Sequence, residues 1–347
     1  MSESTLALAA GLLVAAATFT AAILAARRVA LGFDLVARPN PIVRSHRAPV
    51  PYLGGAGLIA AYLVLLAGSW ALDGALPARD ALARSAGALV FAAFGTWDDA
   101  RPMGPWFKLL VQSLVCAAYL LVSGAPPGPG FALKLLVLVT LVNAYNIIDV
   151  MDGLLCVLAG IAILGVIGLG SPGALSPELG LMLIGLVVLF SFNRPPARIY
   201  AGDAGSLALG FLVAAWGLAA VGDAVTVGAL PIVGVWAVPL LELALVIPAR
   251  LLQGRSPLRG SPDHFALRLQ DQLGWSKGRV LGVTSILGGL FAAAPWVAAR
   301  LGAPAAFTHG LGCVLAAGIA WLALWRIPPR ARSRTDAPAG ATALPMP

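Results

Sequence analysis

The chain has 347 residues, of which 59% are hydrophobic and 11% charged, with a formal net charge of +8 and a mean hydropathy of +0.90. Soluble domains carry about 25% charged residues, so a water-soluble domain is excluded and an integral membrane protein with many spans is expected. The basic excess is spread over short loops with no recognition motif, which argues against nucleic-acid binding and for membrane topology.

A hydrocarbon core about 30 Å thick requires roughly 20 apolar residues per helix. In chain order that criterion predicts an all-α polytopic protein of about eleven transmembrane helices: 5–26, 53–72, 81–97, 106–123, 131–148, 153–170, 177–192, 205–221, 226–249, 279–299 and 304–325. The N-terminus, MSESTLALAA, has no basic flank and runs straight into a long apolar stretch, so it reads as a retained first span rather than a signal peptide. Pro231 and Pro239 predict a kink in the ninth span. No repeat or strand-like alternation appears, and residues 1–326 read as one membrane domain. The Pro-, Ala- and Arg-rich tail 327–347 reads as disordered. Of the 23 Lys and Arg residues, 19 fall in or beside loops that follow odd-numbered spans. This bias predicts the N-terminus outside and the C-terminus in the cytoplasm. The three cysteines, Cys116, Cys156 and Cys313, lie in apolar runs without metal-ligand spacing, so neither a disulfide framework nor zinc is expected.

That orientation gathers the unusual polar residues on one face. Five cytoplasmic segments hold them: DLVARPNPIVRSHRAPVPYLGG (34–55), WDDARPMGPWFK (97–108), NAYNIIDVMDG (143–153), NRPPARIYAGDAGS (193–206) and GRSPLRGSPDHFALRLQ (254–270). Asp98 and Asp99 are adjacent and diverge by about 100° on a helix. Asn143, Asn146, Asp149 and Asp152 recur every third residue and form one polar stripe. Asp203 stands between glycines at the head of a span. Carboxylates crowded at one membrane face repel each other and need a cation. Oxygen ligands from Asp and Asn suit a hard divalent ion, and magnesium uses one or two carboxylates plus substrate phosphates. Lys108, Arg44, His46, Arg47 and the Gly202–Ser206 turn are candidate phosphate-binding groups, the last as a helix N-terminus. Helix capping is the competing role for these acids, and for Asp152, followed by Gly153, it stands level with catalysis. As a set, acids clustered at the ends of spans point to function.

The five segments, in this order and spacing, resemble the polyprenyl-phosphate N-acetylhexosamine-1-phosphate transferases, glycosyltransferase family 4, over about Gly32 to Leu269. The N-terminal segment, with Asp, Pro-Asn, Arg, His, Pro-x-Pro and Gly-Gly, resembles the undecaprenyl-phosphate GlcNAc-1-phosphate transferase branch. The His-His-His-Phe-Glu run of the related phospho-MurNAc-pentapeptide transferase is absent. The resemblance implies transfer of a sugar-1-phosphate from a UDP-sugar to undecaprenyl phosphate, with release of UMP, as the start of a lipid-linked envelope glycan such as O-antigen. It also implies a bacterial inner-membrane location and an active site facing the cytoplasm. Residue by residue, it implies that Asp98 and Asp99 are the family's paired acids and that Lys108 holds phosphate. It makes Asn146 and Asp203 ligands of magnesium, or of manganese in its place, and Asp149 a required acid. Tyr200 would stack on uracil, and His264 matches the first histidine of a His-x-His-His motif. Asn143, Asp152, Arg255, Arg259 and His46 complete the expected substrate-binding set. Three positions depart from the pattern: Pro102 replaces a third acid, Val150 a glycine, and Ala266 and Leu267 stand at the later histidine places.

In the implied reaction a lipid phosphate oxygen attacks the β-phosphorus of the nucleotide sugar. Asp98 or Asp99 accepts a proton, while Lys108, Arg255 and Arg259 shield charge. The expected partners are the UDP-sugar, undecaprenyl phosphate and the bilayer, with a homodimer left open. Two other classes compete. A secondary transporter would place acids near the midplane in broken helices and repeated halves, whereas the acids of the five segments fall at span ends on one side and no repeated half appears. A CDP-alcohol phosphatidyltransferase needs Asp-Gly-x-x-Ala-Arg, whereas Asp152–Gly153 is followed by LLC.

Overall fold

A computed structural model describes residues 3–38, 49–74, 78–169, 176–222, 231–257, 260 and 262–328. The described residues are all-α apart from one short pairing. The first helix, α1 (Glu3–Gly32), leads into strands β1 (Val36–Ala37) and β2 (Val50–Pro51), which pair antiparallel with Val36 opposite Pro51. There follow α2 (Gly54–Asp73), α3 (Arg79–Ala100), α4 (Pro105–Val122), α5 (Pro129–Ile148), α6 (Leu154–Leu169), α7 (Pro177–Asn193) and α8 (Gly202–Val221). The C-terminal third comprises α9 (Pro231–Val235), α10 (Ala237–Leu252), α11 (Phe265–Leu273), α12 (Lys277–Ala292) and α13 (Ala294–Arg326).

Among the described residues, helix lies in each of the eleven stretches expected to span. Among the described residues, 7 helical stretches are long and apolar enough to cross a membrane: Thr5–Gly32, Gly54–Leu72, Pro105–Val122, Pro129–Ile148, Gly202–Val221, Lys277–Gly302 and Phe307–Arg326. α6 and α7 are apolar but shorter, and α3 carries charged residues at both ends. The ninth expected span is broken into α9 and α10 at Trp236. Pro239 has no N–H to bond the Val235 carbonyl, so the helix cannot run through that point. Near the C-terminus the chain turns at Gly302, φ 78°, between the last two expected spans. The predicted tail lies outside the described residues beyond Pro328.

α8 is the axis of the bundle. Ala204 to Gly217 are all buried along it, and it packs against α2, α3, α5 and α6. Small residues allow this. A Cβ on Gly95 of α3 would fall 2.3 Å from the Ala204 nitrogen, and one on Gly55 of α2 would fall 2.1 Å from the Gly205 Cα. Backbones that close leave no room for a side chain, the arrangement by which membrane helices gain packing contact.

Candidate active site

The end of α3 delivers the paired acids, and their divergence sends them to different partners. Asp98 is buried. Its Oδ1 accepts from the Met103 N–H at 2.7 Å and its Oδ2 meets Lys108 Nζ at 2.5 Å. Pro105 at the start of α4 sets the helix entry that places Lys108 on its first full turn. Asp99 reaches across to the head of α8, where both its oxygens accept from the Asp203 N–H, at 3.0 and 3.2 Å. This carboxylate therefore caps α8 from another helix, where unsatisfied N–H groups and the helix dipole favour negative charge. Gly202 makes the approach feasible: its φ is +68°, and a Cβ there would fall 2.4 Å from Asp99 Oδ2.

Asp203 closes the cluster. Its Oδ2 lies 2.7 Å from Lys108 Nζ, and its Oδ1 accepts from Asn146 Nδ2 at 2.8 Å; the same amide donates to Ser206 Oγ at 2.9 Å. Lys108 is thus a single ammonium between two carboxylates from α3 and α8. It stands where a cation belongs, and the oxygens converge on it. Among the described residues no three His, Cys, Asp or Glu side chains form a ready-made cage. That donor set fits magnesium, which keeps open positions for water and substrate phosphate, rather than an ion needing an all-protein cage. An inverted Asn146 amide would turn its oxygen toward the same point.

Asp149 follows the last residue of α5 and is half-buried. No hydrogen-bond donor meets it among the described residues. Burial, then the negative charges of Asp203 and Asp152, push its carboxyl up to about 7. Asp152 is held differently: Lys277 Nζ at 2.8 Å and the Ala197 N–H at 3.2 Å both reach its Oδ2. It ties the α5–α6 turn to the 193–200 loop and to α12. Asn143 lies one turn deeper and donates to Gln112 Oε1 at 2.7 Å.

The 34–55 segment enters through backbone pairing. The Tyr200 N–H donates to the Pro51 carbonyl, and the Gly54 and Gly55 N–H groups donate to the carbonyls of Tyr200 and Ala201, each at 2.9 Å. This seats the Tyr52 ring 6.4 Å from that of Tyr200 at 48°. The Tyr52 hydroxyl is raised by burial and then by the charges of Asp99, Asp203 and Asp149. Tyr200 is raised by burial and then by Asp152 and Asp149. Both rings therefore border the acids, and Tyr52 is a site residue that the motif reading passed over. Its signal was an aromatic separated from Gly54–Gly55 by Leu53 alone.

The structure sets His264 and Arg255 in a second polar group rather than on the acids. His264 Nδ1 lies 2.8 Å from Glu242 Oε1, and Arg255 pairs with Asp263 at 3.5 Å. The two groups are neighbours through packing, because Phe265 and Ala266 join Ile148 and Met151 in one apolar cluster. His46 and Arg259 lie outside the described residues. Lys277, Glu242 and Gln112 were also missed; none belongs to a motif, and their partners come from other helices and turns.

Residues 81–221, which carry Asp98, Lys108, Asn146 and Asp203, match the profile of glycosyl transferase family 4. A putative glycosyltransferase of Streptomyces coelicolor is 35% identical over 292 residues, covering 80% of this chain and 68% of the relative. The chain belongs to glycosyl transferase family 4. Other relatives in the family come from both branches weighed above. An undecaprenyl-phosphate alpha-N-acetylglucosaminyl 1-phosphate transferase of Yersinia pestis is 28% identical over 274 residues, 69% of each chain. A phospho-N-acetylmuramoyl-pentapeptide-transferase of a Synechococcus strain is 32% identical over 304 residues, 74% of this chain and 82% of the relative.

Proposed function

We propose that this family 4 protein transfers a sugar-1-phosphate, most simply N-acetylhexosamine-1-phosphate, from a UDP-sugar to undecaprenyl phosphate and releases UMP. The observation that carries the reading is the Lys108 ammonium between Asp98 and Asp203, with Asn146 on the second Asp203 oxygen, at the ends of apolar helices. Both substrates are anionic and arrive from different phases. The lipid chain lies among the spans, its phosphate stops at the interface, and the nucleotide sugar comes from the cytosol.

A phosphate oxygen of the lipid attacks the β-phosphorus, a new P–O bond forms, and the bond to the UMP oxygen breaks with its electron pair leaving on UMP. Positioning and charge neutralisation dominate such transfers. Asp203 and Asn146 are the residues that would hold magnesium, which when bound neutralises the pyrophosphate charge. Lys108 supplies a fixed positive charge beside that site. Asp98, whose two oxygens take the Met103 N–H and the Lys108 ammonium, holds that charge in position. Tyr52 and Tyr200 offer flat apolar faces for the uracil ring. The basic loops favour a reaction on the cytoplasmic side of a bacterial plasma membrane.

The test is purified protein in detergent with undecaprenyl phosphate and radiolabelled UDP-GlcNAc, UDP-GalNAc or UDP-MurNAc-pentapeptide. Lipid-linked product with an amino sugar, dependent on a divalent ion, supports the reading. Product from the pentapeptide donor alone would move the protein to the other branch, and no product with any donor would defeat the proposal.

A further inference from the structure

Glu242 is an acid in the middle of the apolar helix α10, AVPLLELALVIPARLL, and its side chain is fully buried. An isolated carboxylate at such a place is costly and persists where it has partners. Two groups meet it. Its Oε1 lies 2.8 Å from His264 Nδ1, and its Oε2 accepts from the Phe265 N–H at 3.2 Å. His264 is the residue preceding α11, yet its ring makes no bond to its own helix; the carboxylate of α10 takes the first orphan N–H instead. The neighbouring Asp263 is bolted in place as well. Gln253 Nε2 and Arg255 reach its side chain at 3.2 and 3.5 Å, and Arg268 Nε donates to its carbonyl at 2.8 Å. The ring thus sits on a loop pinned from both sides.

A carboxylate only accepts hydrogen bonds, so the ring facing it carries its proton on Nδ1. The lone pair is left on Nε2, which has no hydrogen-bond partner among the described residues. We propose that Glu242 is a positioning residue, fixing His264 as the Nδ1–H tautomer so that Nε2 faces a phosphate group of the substrates. This rests on the transferase reading above. A protonated phosphate monoester gives its proton to Nε2, and the resulting imidazolium, stabilised by the Glu242 carboxylate behind it, then donates the same N–H to a phosphate oxygen. No other bond changes in that step.

The substitution E242Q tests this sharply. A glutamine offers one acceptor and one donor group to two former donors, so keeping the Phe265 N–H bond turns its NH2 to the ring. Nδ1 must then accept, and the proton moves to Nε2. The chain has three histidines, so a 15N-histidine spectrum of the full-length protein in detergent holds three rings, and H264N identifies one of them. Expected is a protonated Nδ1 and bare Nε2 at His264 in the unaltered protein, switching in E242Q. An Nε2–H tautomer in the unaltered protein, or a ring unmoved by E242Q, would overturn the proposal whether or not the protein transfers sugar phosphate. In the transfer assay E242Q is expected to lower kcat by about 10- to 100-fold, the usual effect of losing an orienting partner. The double variant E242Q/H264A is expected to match H264A alone. Losses that multiply in full, or an H264A enzyme with unchanged kcat, would also overturn it while leaving the transferase reading intact.

Discussion

Asp149 is the acid of this site without a lysine or a helix N-terminus to answer its charge. Its carboxyl is pushed up to about 7 by burial and by the charges of Asp203 and Asp152, against about 3.9 in an unfolded chain. The folded state therefore favours the protonated acid. That stabilisation is present in full below about pH 4 and is lost as pH rises through 7. In the absence of divalent ions, the thermal midpoint in detergent should fall between pH 5 and pH 8. D149N, which cannot ionise, should make that fall shallower, leaving the part that Asp99 and Asp203, also raised by burial, contribute. A variant with the same slope as the unaltered protein would show that Asp149 is not the group responsible. Asp99 is pushed up as well, by burial and then by the charge of Asp203, although the N–H at the head of α8 offsets part of that rise. The neighbouring pair thus serves two tasks: one acid holds Lys108 and the other seats the helix that carries Asp203.

At the scale of helices, the site depends on how closely α3 approaches α8. Gly95 faces the backbone of Asp203 and Ala204, whose nearest atoms would lie 2.3 Å from an added Cβ. G95V must push α3 away from α8 and separate Asp98 from the Lys108–Asp203 contact. Overpacking of this kind costs about 1–3 kcal/mol, and transfer activity should fall further than stability alone explains. Gly289, in α12, has nothing within 4 Å of its Cβ position. G289A should therefore retain activity and gain a little helix stability. Equal effects of the two substitutions on activity would contradict the packing argument. The helices were legible in the sequence because apolar runs of membrane length leave little choice of structure. The acids were legible because charge at the ends of such runs stands out. What escaped were partners set by tertiary packing. Lys277 reaches Asp152 across 125 positions, Glu242 meets His264 across 22, and Tyr52 meets Tyr200 through a backbone pairing. No local period or spacing encodes those pairings. The break at Trp236 lies in the span where Pro239 foretold a kink, while the count of spans read from hydropathy includes helices shorter than a bilayer requires by themselves.

Across the whole molecule, polar groups gather at both ends of the central helices. Opposite the acid site, Arg84 of α3 donates from Nε and Nη2 to Glu178 of α7 at 3.1 and 3.2 Å and also pairs with Asp80. Trp216 Nε1 of α8 donates to the same Glu178 at 2.8 Å, and the Tyr119 hydroxyl of α4 donates to Asp80 at 3.1 Å. Arg84 and Asp98 lie fourteen residues apart on α3, or about 21 Å along the helix. This second network pins α3, α4, α7 and α8 at the end remote from the chemistry. R84M leaves Glu178 buried and unpaired, and removing one partner of a buried ion pair costs about 3–5 kcal/mol. Unfolding in detergent should show that loss, and R84M/E178Q should recover part of it. A double variant less stable than R84M would argue that Glu178 is held by Trp216 alone.

The central claim is that the helix-end acids bring two anions together so that phosphorus, and not sugar alone, changes hands. UDP-GlcNAc labelled with 32P at the β-phosphate, offered with undecaprenyl phosphate over a magnesium series, tests it most directly. The account predicts label in the lipid product, unlabelled UMP in the aqueous phase, and a much higher magnesium requirement for D203N. Label that stays with the nucleotide as UDP, or a D203N protein with an unchanged magnesium response, would contradict it.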